Sequence, residues 1–414
     1  MENFLIFSFL ILLVQNIILN YSTGWIHNII NYFDELFVLG LLLYALYINE
    51  FKIYLDKNLK MCFACIFFFS AFGLASSLIY EYQNILLALV DWFVCIKFFL
   101  VYFSICEISV KYDFEKYFLH KACKICELFA IIVTPLTIIS LFYPLFGQTD
   151  VRYGFYSVNL FYGHPSNFAA CCILCSAVLM ANYNCTKKIY IFMLLLCAAC
   201  TLRTKALASV ICIIFIYLYF IRFKIKNKFI AIIGIACLAV YIGYDQLMFY
   251  YGQSVLKDDN FIRAILSVRS NELAASHFPL GTGFATFGSN IAAEHFSPLY
   301  TMLGIKYGPF LSDTFWPTVI AQTGYIGTVF FAFVICFLVQ RILLSFKNNI
   351  YCFWACASII IYEVICSLAE PAFFHPQSSL MFLVFGIVIN YANKCYPVRA
   401  FVDSKNSEIY NEKH

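Results

Sequence analysis

The sequence predicts an all-α integral membrane protein with about twelve transmembrane helices and one large outer loop. Three observations carry this. Of 414 residues, 63% are apolar and only 12% charged, against roughly 25% charged in a soluble domain. The mean hydropathy of +0.82 leaves too little polar surface to cover a water-soluble fold. Apolar runs near the ~20 residues that cross a bilayer recur along the whole chain, separated by short stretches in which lysine is common.

The candidate spans, in order, are about 3–20, 35–51, 61–80, 84–105, 123–145, 165–183, 188–202, 206–221, 228–246, 315–340, 350–369 and 377–393. The first run, Phe4 to Leu19, has no basic segment before it and no small-residue cleavage site, so it reads as a span and not as a signal peptide. With the N-terminus inside, nineteen of the 27 Lys and Arg fall in inner loops and the C-terminal tail, seven fall outside, and Lys97 lies within a span. Basic residues in short loops favour the cytoplasmic side. The expectation is a multi-pass protein of a bacterial cytoplasmic membrane with both termini cytoplasmic. It forms a single polytopic domain over 1–414, with a large extracytoplasmic loop at 246–314 and a cytoplasmic tail at 394–414. That loop is rich in aromatic, Gly and Pro residues, so it is expected to be ordered and to contain short helices. The stretch 188–221 is long for one span and short for two. Basic residues at both ends require a tight hairpin with Arg203-Thr204-Lys205 at its outer tip.

The sequence weighs against several function classes. The nineteen cysteines include the pairs Cys62/Cys65, Cys123/Cys126, Cys172/Cys175 and Cys197/Cys200, but these lie in or at the start of apolar runs. A lipid-facing helix does not offer four zinc thiolates, and cysteine here reads as a small apolar filler. The sequence shows no acidic cluster to hold a metal, and no metal or cofactor is expected. Nucleic acid is excluded as a partner because no basic groove with interleaved aromatics is present. A transporter would show repeated halves; none is found, and the ionisable residues gather on one face. Asp91 and Lys97 in the fourth span are the exception: Asp91 can face a cavity, and Lys97 pairs or snorkels.

Arginine on the outer side runs against the positive-inside bias. Arg152, Arg203, Arg263 and Arg269, with Lys205, come from three outer segments. A helical bundle can gather them, and a guanidinium fork binds phosphate oxygens two at a time. A pyrophosphate clamp is one reading; snorkelling or headgroup contact is the other. His164 stands at the outer mouth where Gly163-His164-Pro165-Ser166-Asn167 enters the sixth span, with Pro165 suited to the first turn. In the long loop, Gly281 and Gly283 after Pro279 suggest a turn where backbone approaches something closely. His277 precedes them. Asp313, where the tenth span begins, can act as a general base on a hydroxyl or cap the helix.

The order of these features resembles the O-antigen ligase and polymerase family. The likeness runs from about 150 to 340: Arg152 to Asn167 at a helix entry, Arg203 at an outer tip, Arg269 and then Pro279-Leu-Gly-Thr-Gly-Phe284 in the loop, and Asp313 to Gly327 opening a span. Ligases of the family typically carry His-Asn where this chain has Ser312-Asp313. The stretches 279–289, Ser297-Pro-Leu-Tyr300 and Ser312 to Pro317 look more like repeat-unit polymerases of the Wzy type.

The resemblance implies a polytopic glycosyltransferase architecture of the GT-C-like kind, acting on undecaprenyl-pyrophosphate-linked glycans with membrane lipid around it. A chain-length regulator is a candidate partner. It also implies that Arg152, Arg203 and Arg269 bind pyrophosphate, joined by Arg263 and Lys205. By the same resemblance Asp313 would be the base or the group that orients the acceptor, with His277 and His164 as competitors. The alternatives are a ligase moving finished glycan to another acceptor, a lipid-linked glycan flippase, and a non-enzymatic scaffold.

Overall fold

The computed structural model describes residues 1–147, 150–223, 262–308, 310–345 and 349–395. The candidate span 228–246, the start of the long loop and the tail beyond 395 lie outside the described residues. Within them the chain is all-helical apart from one two-residue hairpin. The long helices are α1 (Glu2–Tyr21), α2 (Gly24–Asn31), α3 (Phe33–Ile48), α4 (Lys57–Tyr80), α5 (Ile85–Lys111), α6 (Glu115–Phe142), α7 (Pro165–Ala181), α8 (Lys188–Ala199) and α9 (Thr204–Ile216). Beyond residue 261 come α10 (Ile262–Ser276), α11 (Asn290–Glu294) and α12 (Pro298–Met302), then α13 (Trp316–Ser345), α14 (Ile350–Ser367) and α15 (Pro376–Cys395).

A helix lies on every predicted span that falls within the described residues. Among the described residues, seven helices are long and apolar enough to cross a membrane, or eight if α2 and α3, bent by 45° at Tyr32, count as one. α7 and α8 fall short of that set at 17 and 12 residues. α15 also stands outside it and carries polar residues at both ends, Gln377 and Ser378 at one, Asn390 and Lys394 at the other.

The division between lipid-facing and central helices follows the side chains. α7 is buried around nearly its whole circumference, and so is α15 from Leu380 to Ile389. A helix apolar on every side packs well only with neighbours all round. α1, α3 and α4 instead expose Phe4, Phe7, Leu36, Leu43, Phe67 and Leu78. Apolar exposure on this scale is incompatible with a water-facing surface. The helices are those of an integral membrane protein.

The interhelical segments gather at two ends of the bundle. One end holds Asp56 with Arg341, Asn49 with Glu107, and Lys394 with Asp113 and Glu115. The other holds Asn20 against the carbonyl of Phe161, Ser166 with Glu370, and Ser77 and Asp91 with the 279–289 loop.

Residues 262–302 contain three helices. α10, α11 and α12 bury a small apolar core of Leu266, Leu273, Phe287, Leu299, Tyr300 and Leu311. The loop Leu280–Gly283 fills a break in α13. Gly324 there has φ 68° and ψ −178°, which interrupts the helix. The amides of Thr282 and Gly283 donate to the carbonyls of Ala321 and Gln322 at 2.8 and 2.9 Å. Carbonyls freed by a break in a span must find such donors. A Cβ on Gly281 would stand 2.4 Å from the Gln322 carbonyl, so only glycine fits. The close backbone approach read from the sequence is this contact.

Candidate anion-binding site at one end of the bundle

The site begins with a hairpin. Val151–Arg152 pairs antiparallel with Phe155–Tyr156, turned by Tyr153 and Gly154, both at positive φ. Two positive-φ residues make the turn that matches strand twist. The strands are anchored to the turn between α8 and α9. The Ser157 hydroxyl donates to the Thr201 carbonyl at 2.6 Å, and the Val158 amide to the Cys200 carbonyl at 3.3 Å. This anchoring brings two sequence-distant arginines onto one carboxylate. Arg203 donates to Asp150 Oδ2 at 3.1 Å, and Arg152 lies 3.6 Å from the same oxygen.

The α8–α9 hairpin has the form expected from its basic ends. α8 has 12 residues, about 18 Å at 1.5 Å per residue, against a ~30 Å hydrocarbon core. Arg203 precedes α9 and Lys205 lies in its first turn. Lys205 is buried and ion-paired with Glu370, whose Oε1 also accepts the Ser166 hydroxyl at 2.9 Å. α7 starts beside it, so two helix N-termini add their positive ends to the side-chain charges.

Arg263, on α10, pairs with Asp313. The charges of Arg152, Arg203 and Arg263 all reach Lys205. Four of the five predicted cations thus share one neighbourhood, balanced by Asp150, Glu370 and Asp313. Arg269 does not join them. It pairs with Glu272 at 2.6 Å on an exposed face of α10. Six residues along a helix turn the side chain about 120° away from Arg263.

Asp313 is ion-paired and does not cap α13, which starts three residues later at Trp316. His277 bonds Tyr82 OH at 3.0 Å and packs edge-on to Tyr80, and no described contact joins it to the cations. His164 caps α7, accepting the Ser166 amide on Nδ1 at 3.3 Å. Partial burial, then the charges of Arg203, Lys205 and Arg152, push His164 down to about 4 against the pull of Asp150. It is neutral at physiological pH. With Nδ1 accepting, the proton is assigned to Nε2, which makes His164 a donor here and not a base.

Sequence reasoning missed Asp150, Glu370 and His375. Glu370 and His375 flank the short turn between α14 and α15. The available signal was an acid and an imidazole closing apolar runs on the same side as the arginines. Burial pushes His375 down to about 4, aided by Lys205, Lys97 and His164 and opposed by Asp34. The unfolded chain takes up a proton near 6.5 while the folded one waits until about 4. Stability held above pH 6.5 is therefore lost as pH falls toward 4, by about 3 kcal/mol for this group. Purified in nanodiscs, the His375→Gln variant is expected to lose less of its melting temperature between pH 7 and 4 than the parent. Equal slopes would remove His375 as the source.

The sequence matches no protein-family model and no curated protein sequence. The chemistry of the site rests on its residues alone.

Proposed function

We propose that this protein polymerises undecaprenyl-pyrophosphate-linked oligosaccharide repeat units into an O-antigen or capsular polysaccharide at the outer face of the bacterial cytoplasmic membrane. The observation that carries the reading is the meeting of Arg152, Arg203, Lys205 and Arg263, from three separate segments, at one end of an apolar bundle. In this reading the bundle has twelve spans including 228–246, both termini are cytoplasmic, and the cationic end faces out.

The reaction breaks the bond between the sugar anomeric carbon and the pyrophosphate oxygen. A hydroxyl of the acceptor glycan forms the new bond and gives up its proton. The leaving pyrophosphate gains negative charge, and preorganised cations stabilise it as it departs. Arg152 and Arg203 offer two guanidinium forks with Asp150 holding them in register, and Lys205 offers a point charge. Asp313 is the proton acceptor. Pyrophosphate arriving at Arg263 competes with Asp313 for the guanidinium and frees the carboxylate for that role. His164 contributes a neutral Nε2–H donor.

The test is a glycan ladder from a deletion strain, with lipid-linked and surface glycans resolved by gel. Lipid-linked single repeat units in the deletion, and a ladder restored by the wild-type gene, are expected. Full-length chains held on the lipid carrier would mean a ligase. Repeat units confined to the inner leaflet would mean a flippase.

A further inference from the structure

Beside the cationic cluster, the described residues line a partly open cavity of about 520 Å³. This is within the ~300–1,000 Å³ range of small-molecule sites. Its walls come from α1, the α2–α3 bend, the first half of α5, α11 and the turn before α15. The walls differ in chemistry from the arginine site. Asn16, Asn31 and Asn290 present side-chain amides, which both donate and accept as each sugar hydroxyl does. Tyr32 and Phe374 add ring surfaces on which the C–H face of a pyranose can lie.

Among the described lining residues, Lys97 carries the one permanent positive charge. Its ammonium is 2.5 Å from Asp34 and 2.9 Å from Glu35, with 2% of the side chain exposed. That charge is already matched. Asp91 and Glu294 add further carboxylates to the wall, and Asp91 is fixed by the Ala285 amide at 2.6 Å and the Gln322 side-chain amide at 2.9 Å. A ligand carboxylate entering here meets like charge and no spare cation, and specificity is often built from such mismatches.

The two sites share a wall. In the turn between α14 and α15, Glu370 holds Lys205 of the cationic cluster, while Pro371, Phe374 and His375 line the cavity. His375 also borders the narrow cleft lined by Ser166 and Glu370. A sugar in the cavity and a pyrophosphate on the arginines would lie side by side.

We propose that this cavity holds the non-reducing end of the acceptor glycan and admits a hydroxyl-rich sugar that is neutral or amine-bearing, excluding acidic sugars. The inference rests on the polymerase reading and adds the class of acceptor.

The experiment has two arms in the deletion strain. First, the accumulated lipid-linked repeat unit is released by mild acid and its non-reducing sugar identified by mass spectrometry. A neutral or amino sugar is expected; a uronate or other carboxylate-bearing sugar at that end overturns the inference. Second, the strain is complemented with full-length Asn290→Trp, which fills the cavity from an exposed wall position, and with Tyr47→Trp, an exposed position outside the cavity lining. At equal membrane levels, Asn290→Trp is expected to cut polymer at least tenfold and Tyr47→Trp to keep the ladder. A full ladder from Asn290→Trp overturns the cavity assignment alone and leaves the polymerase reading standing. A deletion that accumulates no lipid-linked repeat unit removes that reading, and the acceptor assignment with it.

Discussion

Arg203→Ala is expected to lower polymer formation by about 100-fold, while Arg269→Ala stays within about twofold of wild type. The contrast follows from position. Arg203 stands at the start of α9, shares Asp150 with Arg152 and lies within reach of Lys205. Losing one preorganised donor at a developing anion costs on the order of 10²–10³ in rate. Arg269 forms an exposed i,i+3 pair with Glu272, and such pairs contribute about 0–1 kcal/mol. Arg203→Lys keeps the charge but loses the fork. It should recover part of the activity and remain about tenfold down. The measurement is the glycan ladder, quantified at matched membrane levels of each variant. If Arg269→Ala proves as damaging as Arg203→Ala, the clamp is not the cluster described here.

The helices were legible because bilayer crossing imposes a length and an apolarity that the chain displays directly. The boundaries moved where charge entered the helix. α6 begins at Glu115, eight residues before the apolar run at Cys123, because an amphipathic turn continues the helix beyond the membrane-like segment. The bend at Tyr32 and the break at Gly324 were not legible. Neither changes composition, and both depend on neighbours: the loop 280–283 supplies the donors that make the α13 break tolerable.

The site was half legible. An arginine on the wrong side of the positive-inside bias is a signal a single residue can carry. Its partner is not. Asp150 looked like any loop acid until the hairpin tied it to the α8–α9 turn, and Glu370 sits more than 160 positions from Lys205. From the sequence, Arg269 was the arginine grouped with Arg152 and Arg203, and Arg263 came second. Only the helical phase of α10 separates them. Lys97 illustrates the same point. The expectation that it pairs or snorkels holds as pairing, and its partners come from α3.

Lys205→Met is expected to destabilise the protein by on the order of 3–5 kcal/mol, the largest stability effect of any single change at the site. The Lys205 and Glu370 side chains are 7% and 14% exposed, so removing the ammonium leaves a carboxylate with the Ser166 hydroxyl but no counter-charge in the interior. Replacing both partners behaves differently. Lys205→Met with Glu370→Gln removes the stranded charge, and paired apolar or neutral replacements of buried ion pairs are often tolerated. The double variant should therefore recover the parent's thermal transition in nanodiscs to within about 1 kcal/mol. It should still fail to polymerise, because the neutral pair offers the leaving pyrophosphate one cation fewer. A single variant as stable as wild type would mean that Glu370 is not held by Lys205. A double variant that is stable and makes a full ladder would leave the ion pair structural and take Lys205 out of the anion site.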